Sequence, residues 1–568
     1  MKGRPLPIGI DDFAKLREGG YYYVDKTAFI GELWRNRGEV NLFTRPRRFG
    51  KTLNMSMLQY FFEDTGDEKT NERNRSLFEG LAVMEDGPAI LGQMGRRPVI
   101  SLSLKSAKQP DWELAYACIR EEIAREYKRH LKAADSIVLA GDRQRFLDLA
   151  DRRGSREDEV TALRFLSECL YQASGEKAVI LIDEYDVPLE NAYFGGFYER
   201  MSAFIRSLFE SALKTNPALE FAAVTGCLRI SRESIFTGLN NLNVCSIISD
   251  SYGEHFGFLQ AEVDEMLDAY GFSDKREIMS RWYDGYVFGG QEVYNPWSAV
   301  NYVSSLTFNP QALPKPYWSN TSSNSIVREL VGRADMGAKR ELEELLAGGT
   351  IEKPVHEEIT YDSMYASQDN LWNFLFFTGY LKKTGERMEE NAARISLAIP
   401  NAEVKYIYEN TIKNWFMEDV GKRDLSGLYQ ALFTGNAEET EKNLSILLRQ
   451  TISYMDSGEA FYHGFLLGVL GGLAEHVVRS NREAGNGRLD ICVYSMDTEQ
   501  PPLILELKAS PSFGAMEASC QQALAQIEEK AYDAWLPQEG YREAWLYGIA
   551  FYKKQCRVKV RHKFYVTV

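Results

Sequence analysis

Residues 45–52, Arg-Pro-Arg-Arg-Phe-Gly-Lys-Thr, combine the residue types that hold a nucleotide phosphate. They follow the apolar run 40–43 and precede a segment with helical character. In a strand–loop–helix layout, backbone N–H groups and the helix N-terminus bind phosphate oxygens, the lysine reaches the outer phosphates and the hydroxyl holds Mg²⁺. Lys51 and Thr52 stand at those two positions, but Arg45 replaces the first glycine of the G-x-x-x-x-G-K-[ST] pattern. A second motif is therefore needed to support a phosphate-binding loop.

An apolar run that ends in two carboxylates, residues 178–184, supplies this second motif. In P-loop ATPases the first carboxylate of such a pair holds Mg²⁺ through water, and the second polarises the attacking water. Asp183 and Glu184 fit these two roles in that order. Apolar strands also end in acidic loop residues without forming any site, but the upstream Gly-Lys-Thr makes the functional interpretation the stronger one.

A third strand-like run ends at Thr225 and leads to two arginines, Arg229 and Arg232. A polar group at this strand end would sense the terminal phosphate from a position between the phosphate loop and the attacking water. Either arginine would act on that phosphate within the chain or in a neighbouring subunit. The alternative, that both are surface arginines after a strand, stays open, as does the formation of a homo-oligomer.

Composition describes a soluble globular protein of several domains. The chain has 568 residues, with 44% hydrophobic and 26% charged residues, so we expect two to four domains. The seven cysteines include no C-x-x-C pair, which indicates a reducing cytoplasm, and no apolar run approaches the roughly 20 residues that span a membrane. A net charge of −15 argues against a broad nonspecific nucleic-acid surface but allows a local basic groove.

Strand-like and helical segments alternate through the first half of the chain, which predicts a parallel sheet with helices on both faces. Beyond about residue 272 the pattern changes to short helices rich in aromatic residues, with few clear strands. The last segment reads helix, three strands, helix, two strands, and is predicted to form a separate α/β unit.

Acidic and basic residues on two strands of this last unit form a second candidate site. In Glu506-Leu507-Lys508 the alternation of a strand places Glu506 and Lys508 on one face and Leu507 on the other. Asp490, on the preceding strand, would share the face of Glu506. Two carboxylates suit Mg²⁺, a hard ion that prefers oxygen ligands and activates water for attack on a phosphate, while Lys508 positions or activates the nucleophile.

This D…E-x-K pattern resembles the core of PD-(D/E)XK nucleases. The resemblance implies that Glu459 corresponds to the acid of the preceding helix and Gln526 to a polar position on the following helix. Active cleavage and mere binding stay open, because many such folds serve as binding modules. His463 is predicted to be structural rather than a catalytic base.

The whole chain resembles the bacterial AAA-ATPase-like proteins, a STAND-related P-loop group usually fused to a PD-(D/E)XK nuclease-like domain. The matching motifs are found in residues 9–13, 23–27, 45–52, 181–186, 225–226, 234–241 and 283–286. In that group an arginine in place of the first glycine is usual, so the resemblance implies ATP binding. The predicted nucleotide-binding residues of the loop are Arg45, Arg47, Arg48, Phe49, Gly50, Lys51 and Thr52.

The predicted architecture is α/β, with three domains. Residues 1–270 form an AAA-like P-loop ATPase domain, residues 271–440 a mainly helical middle domain, and residues 441–568 a PD-(D/E)XK nuclease-like domain. The aromatic stretches 283–286 and 294–297 are predicted to pack at a domain junction rather than to bind a ligand.

The last strand carries a basic face, in which every second residue from 557 to 563 is arginine or lysine. Such a face beside a nuclease centre would contact phosphates. The alternative is an edge strand that its charges protect from aggregation.

Two classes of function follow from these motifs. The preferred hypothesis is an ATP-binding and ATP-hydrolysing protein whose ATPase module gates a Mg²⁺-dependent nuclease acting on DNA or RNA, in defence or DNA processing. The alternative is a STAND-like signalling or assembly switch whose C-terminal domain binds a partner without cleaving it, with or without turnover of ATP.

Overall fold

The computed structural model describes residues 4–228, 235–236, 239–320, 327, 336–356, 367–389, 392–421, 424–449, 459–473, 476–485, 487–495 and 497–565. The chain divides into two compact units. The first unit comprises Met1–Ser323 and Glu352–Lys405, and the second comprises Asn324–Ile351 and Tyr406–Val568. In the described part of the chain, no helix has the length and apolar character needed to cross a membrane.

A five-stranded parallel sheet forms the centre of the first unit, in the order β2-β3-β4-β1-β5. Its strands are β1 (Val40–Thr44), β2 (Val99–Ser103), β3 (Ala178–Asp183), β4 (Leu219–Gly226) and β5 (Leu242–Cys245). Every residue of β1 and β3 is buried, which explains why these strands read as continuous apolar runs rather than as alternating patterns. The predicted parallel α/β sheet is confirmed.

Helices connect and cover these strands. They are α1 (Phe13–Glu18), α2 (Ala28–Asn36), α3 (Lys51–Phe62), α4 (Glu68–Ser76), α5 (Pro88–Leu91), α6 (Trp112–Arg129), α7 (Ala140–Ala150), α8 (Arg156–Val160), α9 (Ala162–Ser174), α10 (Val187–Gly195) and α11 (Tyr198–Leu213). Side chains of α6 cover the outer edge of β2. The Glu126 carboxylate accepts the N–H of Ser101 at 2.8 Å, and His130 Nε2 lies 3.0 Å from the carbonyl oxygen of Val99. This edge is therefore closed to further strands.

The aromatic region beyond residue 272 is mainly helical, as predicted. It follows α12 (Gln260–Tyr270) and holds α13 (Arg276–Tyr283), β6 (Tyr286–Phe288), β7 (Gln291–Val293), α14 (Pro296–Phe308), α15 (Met336–Leu346, which belongs to the second unit), β8 (Ile351–Pro354), α16 (Gln368–Phe377), β9 (Lys382–Glu389) and β10 (Ala392–Ala398). Strands β8, β10 and β9 form a small sheet that the sequence did not indicate. The reason is that β9 is mostly exposed and charged, so it lacks the apolar alternation of a half-buried strand.

The second unit is built on a sheet in the order β11-β12-β13-β14-β15, in which only the β13–β14 pair is parallel among the described strands. Its elements are α17 (Ala402–Gly421, which begins in the first unit), α18 (Ser426–Phe433), α19 (Ala437–Arg449), α20 (Glu459–Leu470), β11 (Val477–Ala484), β12 (Gly487–Tyr494), β13 (Leu503–Ala509), α21 (Met516–Glu529), β14 (Glu543–Tyr552) and β15 (Gln555–Phe564). A parallel pair needs a crossover, and α21 provides it. Gly548 lets α21 approach β14 closely, since a Cβ there would lie 2.3 Å from the Cys520 carbonyl oxygen.

Candidate functional sites

The loop between β1 and α3 turns sharply enough to point the N-terminus of α3 towards the carboxyl edge of the sheet. Gly50 has a φ of +81° and precedes the first helical residue, Lys51, while Arg48 also lies in the left-handed region at +74°. The Nζ of Lys51 donates to the carbonyl oxygens of Arg45 at 2.8 Å and Pro46 at 2.9 Å. Lys51 is therefore held across the loop, where a lysine can reach a bound phosphate.

The Asp183 carboxylate, at the end of β3, connects the N-terminus of α3 with the end of β4. It accepts hydrogen bonds from the hydroxyl of Thr52, at 2.7 Å, and from the hydroxyl of Thr225. This meeting follows from the strand order, because β4 pairs with β1 on one side and with β3 on the other. Three residues that are far apart in sequence thus come together at one point.

Glu184 follows β3 in a conformation that is uncommon for a residue with a side chain, with a φ of +54°. The residue lines a cavity at the carboxyl edge of the sheet. Burial raises the pKa of the Glu184 carboxyl, and the neighbouring Asp183 raises it further, while Lys51 and Lys105 lower it. A buried carboxyl with a raised pKa is suited to accept a proton near neutral pH.

The structure does not support the predicted nucleotide contact of Arg45. Its side chain is fully buried and its guanidinium donates to the carbonyl oxygens of Thr44, Cys245 and Ser251 at 2.9, 2.7 and 3.4 Å. Burial lowers the pKa of Arg45 to about 10. The residue that replaces the first glycine of the motif therefore fastens β1 to the end of β5 instead of facing a phosphate.

The other predicted nucleotide-binding residues of the loop all line the cavity, but their side chains have different partners. Arg47 lines the cavity and forms an ion pair with Glu190. Arg48 is exposed, with its guanidinium carbon 4.4 Å from the centre of the Trp297 ring. Phe49 is fully buried, and its ring packs against Tyr286 and Phe288. The ring of Phe49 thus anchors the loop, and because the residue also lines the cavity, its assignment as a nucleotide contact stays a prediction.

The cavity has a volume of about 380 Å³, within the size range of small-molecule sites. Its lining combines the phosphate loop with basic, acidic and aromatic residues that were not assigned to the site from the sequence. The most informative of these are Tyr22, Tyr23, Lys105, Asp186, Phe258 and Trp297. Tyr23 and Asp186 belong to motifs on which the family resemblance rests, so their motif membership was an available signal. The sequence predicts junction packing for both Trp297 and Tyr286. Trp297 instead lines the cavity, whereas Tyr286 packs against the ring of Phe49.

Asp186 holds the segment that follows β4. Its carboxylate accepts the backbone N–H groups of Cys227 at 2.7 Å and Leu228 at 3.2 Å. Beyond this point lie the predicted phosphate sensors Arg229 and Arg232, which fall outside the described residues, so their assignment stays a prediction.

The second unit brings Asp490, Glu506 and Lys508 together. Lys508 Nζ lies 3.1 Å from Glu506 Oε1, and the Leu507 side chain points to the core on the opposite face, as strand alternation predicted. The Asp490 carboxylate accepts the N–H of Leu507 at 2.8 Å. Burial, and then the charge of Asp490, raise the pKa of Glu506 to about 7.

These residues fit a divalent cation. Glu506 is 1% exposed, and its Oε2 atom has no hydrogen-bond partner among the described residues. A buried carboxylate oxygen without a partner is costly unless a cation or a proton satisfies it. The adjacent Asp490 supplies a second hard oxygen donor, which is the ligand type that Mg²⁺ prefers.

The flanking residues predicted for this site have different outcomes. Glu459 begins α20, but its side chain lies outside the described residues. Gln526 donates to the Tyr532 hydroxyl at 3.3 Å, and its predicted role stays untested. The Nε2 atom of His463 lies 3.0 Å from the backbone carbonyl oxygen of Asp490 and donates a hydrogen bond to it.

The basic face of β15 is neutralised within the unit. Arg557 pairs with Glu441, Lys559 with Glu517, Arg561 with Glu528, and Lys563 with Asp533. Strand β15 is the last strand of its sheet. These contacts favour a charged edge strand over a phosphate-binding surface.

Comparisons with known proteins match the two parts of the chain that contain these candidate sites. Residues 7–236 match the family model described as "Predicted AAA-ATPase", and residues 457–561 match that of the PD-(D/E)XK nuclease superfamily. The chain therefore combines an AAA-ATPase-like domain with a PD-(D/E)XK nuclease superfamily domain, which supports ATPase and nuclease-like activity in general terms.

Among curated proteins, the chain is 29% identical over 338 residues to one from Azotobacter chroococcum mcd 1, named "Uncharacterized protein in vnfD 5'region". The match covers 58% of this chain and 57% of that protein, so the chain spans little more than half of its relative's length. No solved structure matches the chain.

Replacing Arg45 with methionine is expected to destabilise the first unit by about 2 kcal/mol, because three carbonyl oxygens lose a charged donor. The matched control is Arg48→Met, at an exposed residue of the same loop, for which we expect less than about 0.5 kcal/mol. Urea denaturation of the two variants measures the difference. Equal stability of both variants would contradict the structural role of Arg45.

Glu506→Gln is expected to raise the melting temperature in metal-free buffer at pH 8 and to leave it nearly unchanged at pH 5. The folded-state pKa of about 7 lies above the ordinary value of 4.5, so the folded state binds the proton more tightly. The parent protein therefore loses stability as pH rises through this window, and glutamine removes the loss. Glu499→Gln, at an exposed residue, is the control. A difference in melting temperature between Glu506→Gln and the parent that does not depend on pH would contradict the raised pKa of Glu506.

Proposed function

We propose that this chain binds and hydrolyses ATP in the cavity of its first unit, and that this cycle controls a Mg²⁺-dependent nuclease site in its second unit. The observation that carries the proposal is that Lys51, Thr52 and Glu184 line one cavity, while the Thr52 hydroxyl donates to the Asp183 carboxylate. These are the residue types that phosphoryl transfer to water requires.

Lys51, the N-terminal N–H groups of α3 and Arg47 would bind the phosphates, because they line the cavity and carry positive charge or unpaired donors. Thr52 and Asp183 would hold Mg²⁺, which neutralises charge on the phosphates when it is bound. Glu184 would then orient and deprotonate the attacking water, a task for which its raised pKa prepares it. The Thr225 hydroxyl holds Asp183 through a hydrogen bond. Its strand, β4, lies between β1, which leads into the loop, and β3, which ends beside Glu184.

In the second unit, Asp490 and Glu506 would hold Mg²⁺, whose contribution is to activate water and to neutralise charge on a scissile phosphate. Lys508, 18% exposed and ion-paired with Glu506, keeps a positive charge beside the carboxylate and can donate to the phosphate or the nucleophile. The substrate class that suits this chemistry is DNA or RNA. Glu459 and Gln526 are proposed to assist from the flanking helices.

The biological setting that we propose is control of nucleic-acid cleavage in defence or DNA processing, in the cytoplasm. None of the seven cysteines, all of which lie among the described residues, forms a disulfide, in keeping with a reducing compartment. We also propose that the chain has three domains, with boundaries near residues 270 and 440.

The first test replaces single residues of the ATP site. Lys51→Ala is expected to weaken ATP binding at least tenfold, whereas Glu184→Gln is expected to bind ATP normally and to lose most of its turnover, roughly a hundredfold or more. Isothermal titration calorimetry measures the affinity, and phosphate release measures the turnover. Unchanged affinity in Lys51→Ala would contradict the phosphate loop, and normal turnover in Glu184→Gln would remove Glu184 from the mechanism.

The second test concerns the nuclease site and its control. With Mg²⁺ and ATP, the parent is expected to cleave DNA or RNA, and Glu506→Ala is expected to lose this activity because one carboxylate of the metal site is gone. Gel analysis of labelled single- and double-stranded DNA and RNA, with and without ATP, measures the cleavage. Binding of nucleic acid without any cleavage by the parent would favour the alternative of a non-cleaving binding module.

A further inference from the structure

We propose that Lys105, in the segment after β2, contacts the terminal phosphate of the bound nucleotide from the side of the cavity occupied by Glu184. The inference rests on the proposed ATP site and adds a second lysine to it. Nothing in the phosphate-loop motif points to this residue, because it follows β2, the strand next to β3, and does not belong to the loop.

The backbone around Lys105 is fixed beside the carboxylate pair. Strand β2 pairs in parallel with β3 up to Ser103 opposite Asp183, and the N–H of Leu104 donates to the Asp183 carbonyl oxygen at 3.0 Å. Lys105 therefore leaves the sheet one residue after this last bond, next to Glu184. Leu104 and Ala107 are fully buried, so they hold the backbone on both sides of the lysine.

The side chain of Lys105 is available to a ligand. It lines the same cavity as Lys51, Thr52 and Glu184. Its ion pair with Asp11 is long, at 3.8 Å, and both side chains are 63% exposed. Exposed pairs of this kind contribute little to stability, so a phosphate with two or more negative charges would replace Asp11 as the partner of Lys105.

The charges around Glu184 agree with this placement. Lys51 and Lys105 both lower the pKa of the Glu184 carboxyl and thus act on the same group from different elements. Lys108 also lines the cavity, but its charge lowers the pKa of Glu190, the partner of Arg47. Lys105 leaves the sheet beside the end of β3, whereas Lys108 lies further along the chain, so Lys105 is the lysine next to Glu184.

The chemistry gives Lys105 a specific task. Negative charge is redistributed over the phosphate oxygens as the terminal phosphate is transferred to water, and a positioned cation stabilises that charge. Because the proposed contact is to the terminal phosphate, Lys105 should distinguish a triphosphate from a diphosphate. Replacement of Lys51, which belongs to the phosphate loop, should weaken the binding of both nucleotides.

The experiment compares the full-length parent with Lys105→Met, Lys105→Arg and the control Lys69→Met, an exposed lysine that does not line the cavity. Calorimetry with ADP and with a non-hydrolysable ATP analogue gives the affinities, and phosphate release gives kcat. Lys105→Met is expected to bind the analogue about tenfold more weakly, to bind ADP within about twofold of the parent, and to lose at least about tenfold in kcat. Lys105→Arg should recover most of the loss, and all melting temperatures should agree.

A second readout does not depend on turnover. In the parent, acetylation of Lys105 by an amine-reactive reagent, followed by mass spectrometry, should be suppressed by the ATP analogue but not by ADP, while Lys69 reacts equally in both states. An unchanged triphosphate preference in Lys105→Met, or equal protection by ADP, would overturn the inference while leaving nucleotide binding intact. Failure of the parent to bind any nucleotide would overturn the proposed function together with this inference.

Discussion

The hydrogen bonds from Thr52 and Thr225 to the Asp183 carboxylate are the constraint on which the first unit's site depends. Asp183 is only 6% exposed, and a carboxylate so deeply buried is stable only when donors or a cation satisfy its oxygens. Its two hydroxyl donors come from α3 and from β4, so one side chain fixes the phosphate loop, the central strand and the end of β3 relative to each other. Glu184 and the segment after β2 take their positions from the same strand end.

The arginine-rich loop is held from outside the sheet as well as from within it. Arg45 fastens its first residue to carbonyl oxygens near β5, and the Phe49 ring is enclosed by Tyr286 and Phe288. Pro46 lies close to Gly379, where an added Cβ would come within 2.9 Å of it. A glycine at position 45, as in the G-x-x-x-x-G-K-[ST] pattern, has no side chain, so it could form none of the hydrogen bonds of the Arg45 guanidinium. The loop therefore depends on the aromatic region for its shape, and a displacement of Phe49 must be accommodated by β6.

Much of the architecture could be predicted from the sequence, because buried parallel strands and strand-end carboxylates leave strong local signals. Strand β3 and the pair Asp183–Glu184 are an example, and the alternation in β13 placed Glu506 and Lys508 correctly on one face. The contributions of Lys105, Asp186 and Trp297 could not be derived in this way, since residues after different strands meet only when strand order is known. Arg45 shows the opposite error: its position in a motif suggested contact with a ligand, but close packing directed its side chain into the core.

The two candidate sites share a physical design despite their different folds. In each, a strand brings a glutamate beside an aspartate, and burial together with the neighbouring negative charge raises the pKa of the glutamate. Such a pair holds its full negative charge near neutral pH only when a cation compensates it. The sources of compensation differ, because Glu184 relies on lysines from two other elements, whereas Glu506 has Lys508 two residues away on its own strand. Binding of a divalent cation at the second site must therefore displace the proton of Glu506, whose pKa of about 7 makes cation affinity there depend on pH near neutrality.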